Sequence, residues 1–185
     1  MLRHAAALAL VLVAPTALAP KDVPDDLRPA LLRAERAIQA AACEVERRFG
    51  EGDPDANAAS CDSAVQVPGV RVGRTSARLR NPRNAPPEWA RARVAATDGK
   101  KATAVDPAVF DLGDRVGLLR PIEIRRRCLS CHAGADALSP GTRAWLHRAY
   151  PEDRALGYAL GDLRGFWWAE APKVETPSRP ARPQP

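Results

Sequence analysis

Cys128, Cys131 and His132 stand in the stretch RRRCLSCHAGAD, residues 125–136, in the spacing C-x-x-C-H. Three chemistries use such a group. Covalent haem attachment uses both thiols to capture the two vinyl groups of a haem, and the adjacent histidine becomes the proximal iron ligand. A thioredoxin-like dithiol also uses C-x-x-C, with one thiolate made reactive by neighbouring positive charge. Zinc needs four ligands and normally a second pair at comparable spacing. The other candidate ligands, Cys43, Cys61 and His147, are scattered, and none belongs to a second C-x-x-C. The histidine after the second cysteine is incidental to a dithiol and required by haem. The group therefore reads as the attachment site of one covalent haem c, with Cys128, Cys131 and His132 as its cofactor-binding residues.

The start of the chain points the same way. MLRHAAALALVLVAPTALAP has a positive Arg3, an apolar run from Ala5 to Ala14, and small residues at Ala17–Ala19. This is the three-part layout of a secretory leader, expected over residues 1–19, and its apolar run is short for a membrane span. Pro20 would follow the cleavage point, where proline is poorly cut, so a leader retained as an anchor is the alternative. No other segment approaches the roughly 18 apolar residues of a membrane helix, so no span is expected in the mature chain. Covalent haem is attached outside the bacterial cytoplasm, so a periplasmic location is expected.

Roughly 165 residues remain after the leader, the length of one domain. The formal charge is +6, of which Arg3 and a net +2 in the tail APKVETPSRPARPQP leave +3 on the body of the chain. With no basic-aromatic stripe, that charge does not support nucleic-acid binding. The tail, residues 171–185, is proline-rich without apolar periodicity and reads as disordered or extended.

These residues need elements to position them. Residues 25–50 carry Leu27, Leu31, Ala34, Ile38 and Cys43 or Val45 at helical spacing, ending near Gly50 and Gly52. A short helix is predicted from Pro54 to about Cys61, capped by Asp53. VPGVRVGRTSARLR reads as strand-like, N-P and P-P breaks follow, and a helix opens at Pro87-Glu88. RVGLLRPIEIRR and GDLRGFWWAEA read as strands flanking the C-x-x-C-H group. A helix first and strands later predict an α+β fold with an antiparallel sheet under an N-terminal helical layer.

Three segments carry a resemblance: GRTSARLRNPRNAPPEW (73–89), LLRPIEIRRRCLSCHAGA (118–135) and YPEDRALGYALGDLRGFWW (150–168). In order and spacing they resemble periplasmic c-type haem domains with a PAS-like fold, found alone or as the sensing part of bacterial signalling proteins. The match spans most of residues 60–170 and is weak between residues 90 and 115. It implies a PAS-like haem domain over residues 20–170, a five-stranded sheet with haem against it, and a sensory or electron-transfer role. It also implies a cysteine upstream of the arginine-rich segment, which is Cys61 or, less naturally, Cys43.

The sixth iron position narrows by composition. The only methionine is Met1, in the leader, which excludes a His/Met centre from the mature chain. A bis-His centre would have to use His147, because His4 also lies in the leader. Otherwise the ligand is Cys61, Cys43, a weak ligand such as water or lysine, or none. Thiolate is a recognised haem ligand, and the resemblance favours Cys61. A disulfide competes: Cys43 and Cys61 lie on either side of the Gly50–Asp53 turn, and an exported protein with two spare cysteines often joins them.

Haem carries two propionates, and arginine offers them bidentate donors. Arg74, Arg78, Arg80 and Arg83 are expected to alternate along a strand, and Arg125–Arg127 precede the first haem cysteine. One or two are expected at the propionates and the rest in solvent. RNPRNAPPEW is expected to be a stiff loop, with Asn81 and Asn84 satisfying backbone groups. Phe166, Trp167 and Trp168 are expected to fill the core or cover the haem edge.

The expected function is redox or small-ligand sensing through the haem iron, passed to a separate periplasmic protein. The alternative is a periplasmic electron-transfer cytochrome. A peroxidase-type enzyme would need an open iron and a distal acid or base, and no distal histidine motif is present. The chain is therefore not expected to be an enzyme.

Overall fold

The computed structural model describes residues 16–49 and 69–174. The first helix, α1, runs Arg28–Phe49 and stops where the glycines predicted. Leu27, Ala30, Leu31, Ala34, Ala37, Ile38, Ala41 and Val45 form its buried stripe at three- and four-residue steps. Val45 continues that stripe; Cys43 is exposed on the adjoining face. Each Leu or Ile so buried contributes about 1.5–3 kcal/mol of transfer free energy.

Five antiparallel strands form one sheet: β1 (Ala17–Leu18), β2 (Arg71–Thr75), β3 (Ala108–Asp111), β4 (Arg115–Glu123) and β5 (Leu163–Pro172). Their order is β1-β3-β4-β5-β2, so the two longest strands lie in the middle. The α+β expectation holds, with one addition. β1 precedes α1, and it is made of the Ala17 and Leu18 that the leader motif contains. They pair with Phe110 and Val109 of β3, and Leu18 packs against the core. At the other end β5 continues through Ala171 and Pro172, two residues into the segment read as tail.

Side chains alternate across the sheet, and the two faces have different covers. Val116 and Leu118 of β4, with Ala169 and Ala171 of β5, face α1 in one apolar cluster. Leu119, Phe166, Ala108 and Phe110 point the other way, into a cluster with Ala90 and Val94. Val94 belongs to the helix α2 (Arg91–Ala96), which a 3-10 turn over Glu88–Ala90 leads into as predicted. Trp89 reaches from there to the buried Glu170, its Nε1 donating at 2.9 Å.

The strand expected to carry four arginines is shorter than anticipated. Of the four only Arg74 lies in β2; Arg78 and Arg80 follow in irregular chain and Arg83 in a 3-10 turn. At the N-P break the Asn81 side chain accepts from Arg83 N and opens a 3-10 turn over Pro82–Asn84.

A register irregularity between Ile122 and Glu123 turns the sheet toward the C-x-x-C-H segment. Opposite it, Gly165 adopts φ +147°, and a Cβ there would meet the Thr75 carbonyl at 2.2 Å. Only glycine lets β2 and β5 approach this closely. The segment itself is a 3-10 turn over Arg126–Cys128 running into α3 (Leu129–His132). A further helix, α4 (Pro140–Ala149), follows, capped by Ser139 accepting from Thr142 N. Among the described residues no helix is long and apolar enough to cross a membrane. The predicted helix from Pro54 and the residue Cys61 lie outside the described residues.

Candidate cofactor site

In one helical turn, residues separated by three and four positions share a face. The steps from Cys128 to Cys131 and from Cys128 to His132 have those lengths, so C-x-x-C-H delivers both thiols and the imidazole to one side. All three line a cavity of about 610 Å³. This lies within the usual range for cofactor sites, about 300–1,000 Å³. The back of the turn is anchored: Cys128 and Leu129 pack on Ile124, Ala155 and Tyr158.

The cavity occupies the α1 face of the sheet, beyond the apolar cluster. Ile38, Ala42, Cys43 and Glu46 of α1 form one wall. Arg74, Arg120, Ile122 and Trp167, continuing the alternation of the three strands, form the floor. Alternation thereby splits the aromatic trio: Phe166 is core, Trp168 packs on the far face, and Trp167 lines the cavity with Arg74 over its ring at 5.1 Å.

Two contacts assign the protons of His132. Its Nδ1 donates to the Ala155 carbonyl at 2.7 Å, and Nε2 accepts from Arg164 Nε at 3.5 Å. Nε2 therefore keeps the lone pair that a metal would need. The Tyr158 ring meets the imidazole edge-on, centroids 6.0 Å apart. Burial, then the Arg164 and Arg80 charges, push the His132 pKa down to about 2 against the opposing pull of the Ala155 carbonyl. The imidazole is neutral, the form that binds metal.

Charge around the cavity is strongly one-sided. Arg74, Arg80, Arg120, Arg125, Arg127 and Arg164 line it against Glu46 and Glu123. Arg127 and Arg125 reach Glu46 of α1 at 2.6 and 3.4 Å, bridging the helix to the C-x-x-C-H segment. These bridges are half exposed and worth at most about 1 kcal/mol each. Arg78 does not line the cavity; it lies over the Tyr158 ring at 3.8 Å and faces Asp98 at 3.6 Å. Arg83 is exposed.

The fold separates the remaining thiol and imidazole candidates. Cys43 is in the cavity wall, with Gln39 Nε2 donating to its sulfur at 3.2 Å. His147 is exposed on α4 and does not line the cavity. Cys61, and with it a Cys43–Cys61 disulfide, lies outside the described residues. Among those residues no three of His, Cys, Asp and Glu are gathered as a metal cluster would require.

Sequence reasoning missed Arg120, Arg164, Ala155 and Asp153. Arg120 was accessible to it, because it lies two residues from Leu118 on the same face. The others lie in the segment 150–168 that carries the resemblance, and reach the site through long-range packing that no local pattern records.

Two thiols and a neutral imidazole share the cavity with an arginine-rich wall. Together with the sheet, they define an α+β domain that presents C-x-x-C-H to a cationic cavity. The chain belongs to the Tll0287-like family, whose model matches residues 8–172. The resemblance to a haem-linked domain family is thus shown at the level of the family. Among solved structures it is similar to that of the cyanobacterial haem protein Tll0287, with a TM-score of 0.53 and 22% identity, covering 83% of this chain and 99% of that one. No curated protein matches the chain.

Proposed function

We propose that this is an exported c-type haem protein that senses redox state or a small ligand through one covalently attached haem. The observation that carries the reading is the convergence of Cys128, Cys131 and His132 on one arginine-lined cavity. The family's haem-protein namesake supports the cofactor, and the five-stranded antiparallel sheet supports the PAS-like description. When bound, haem supplies a redox-active iron whose axial partners set its potential and its access to small ligands.

The chain's own residues would divide the work. Cys128 and Cys131 hold the macrocycle, and His132 offers Nε2 to the iron. Arg74 and Arg120, on the sheet floor, are the cations placed to meet the propionates, since Arg125 and Arg127 already share Glu46. For the second axial position we favour a thiolate. The resemblance favours Cys61, which lies outside the described residues; Cys43, at the cavity wall, is the alternative. No distal acid or base is assigned, so the protein is proposed not to be an enzyme, and its output to pass to a periplasmic partner.

The test is expression in a host with haem-attachment machinery, followed by intact mass and visible spectra. One added haem and carbon monoxide binding on reduction support the sensor. One haem without carbon monoxide binding points to the electron carrier. Unmodified thiols at both positions in the purified protein overturn the reading.

A further inference from the structure

Beside the C-x-x-C-H turn lies a buried ion pair, Arg80 with Asp153, that reaches the turn through its backbone. Arg80 and Asp153 are 73 positions apart, and Arg80 Nε meets Asp153 Oδ2 at 2.9 Å. Their side chains are only 11% and 7% exposed. Both come from segments singled out in the sequence, RNPRNAPPEW and YPED, and Arg80 also lines the cavity.

Each partner uses its remaining atoms on the backbone that holds His132. Asp153 Oδ1 accepts from Ala155 N at 2.7 Å. Arg80 Nη2 donates to the Cys131 carbonyl and, at 3.4 Å, to the Ala155 carbonyl. That same Ala155 carbonyl accepts from His132 Nδ1. One guanidinium and one carboxylate thus fix the peptide between the two haem-motif residues and the acceptor that orients the imidazole. A backbone step alongside, Arg154 N to the Leu79 carbonyl at 2.9 Å, ties the two segments together.

We propose that Arg80 and Asp153 are positioning residues that set the direction and basicity of the His132 imidazole through the Ala155 carbonyl. The inference rests on the cofactor reading above only for its effect on iron. A carbonyl that also accepts from a guanidinium is a poorer acceptor for Nδ1–H, so the imidazole keeps less anionic character. A less basic imidazole donates less charge to a metal at Nε2 and so favours its oxidised form less strongly. The pair would therefore hold the potential of the loaded protein higher than an isolated Ala155 acceptor would.

The experiment compares wild type with Arg80→Gln, with Ile124→Ala as a control that loosens the same cluster without touching the hydrogen bonds. In the protein without haem, nitrogen-15 NMR of the His132 Nδ1 proton should show a changed shift and faster exchange in Arg80→Gln than in the control. In the haem-loaded protein, Arg80→Gln should have a more negative midpoint potential and a higher iron–histidine stretching frequency than the control. Where Arg80→Gln does not fold, Asp153→Asn keeps an acceptor for Ala155 N and should still speed Nδ1 exchange. Asp153→Glu should restore part of what Asp153→Asn loses. Identical Nδ1 behaviour in Arg80→Gln and the control overturns the proposal, and so does an unshifted potential. Because the NMR measurement needs no haem, failure of the cofactor reading is recognised separately, as a wild type that takes up none.

Discussion

Nδ1 of His132 lies 2.7 Å from the carbonyl oxygen of Ala155, a residue 23 positions further along the chain. That contact decides which ring nitrogen carries the proton and turns Nε2 toward the cavity. It sets one side of the proposed iron and leaves the opposite side to be found by substitution.

For that opposite side, Cys61→Ser is expected to alter the oxidised visible spectrum and to increase carbon monoxide binding after reduction. Cys43→Ser and His147→Ala are expected to leave both unchanged. A response confined to Cys43→Ser transfers the role to Cys43, and a response confined to His147→Ala makes the centre bis-His. A native Cys43–Cys61 disulfide found by peptide mapping removes both thiols from consideration.

A chain beginning at Pro20 is expected to be less stable than one that keeps Ala17 and Leu18. Its start would remove β1, strip Leu18 from the core and bare the edge of β3. Urea unfolding of the two chains side by side should show a lower midpoint for the shorter one, and equal midpoints contradict this.

Gly165→Ala should destabilise by about 1–3 kcal/mol or more, since strain at a special backbone conformation adds to a clash. The added methyl would meet the Thr75 carbonyl at 2.2 Å and Ser76 Cβ at 2.8 Å. Gly141→Ala, in the first turn of α4 with nothing within 4 Å, should instead be neutral or gain up to about 1 kcal/mol. Urea unfolding of the two variants side by side provides the comparison.

Acid should loosen the Ile124 side of the site. The Lys101 ammonium and the N–H of Ala159 hold the Asp162 carboxyl below its ordinary 3.8. A carboxyl that ionises more readily when folded contributes stability above its unfolded pKa, and loses it as pH falls through the folded pKa. The urea midpoint should therefore decline below about pH 4. Asp162→Asn should be less stable at pH 7 and show a shallower decline. Equal acid slopes for wild type and variant would remove Asp162 from the explanation.

What the sequence determined by itself is what repeats over a few residues. The C-x-x-C-H group is local chemistry, and its placement on one face follows from helical geometry. The stripe of α1 and the strands β4 and β5 follow from periods of 3.6 and 2, enforced by backbone geometry. The split of Phe166 from Trp167 was implicit in the same alternation. Only the tertiary structure decided which face becomes the cavity, because a one-residue slip of register would exchange the two faces. Only it turned Ala17–Leu18 and Ala108–Asp111 into strands, since such short segments gain their order from neighbours rather than from propensity. Arg80, Asp153 and Ala155 meet His132 for the same reason. Their contacts join segments more than twenty to seventy residues apart, and no local pattern records which distant partner a folded chain will bring to a given atom.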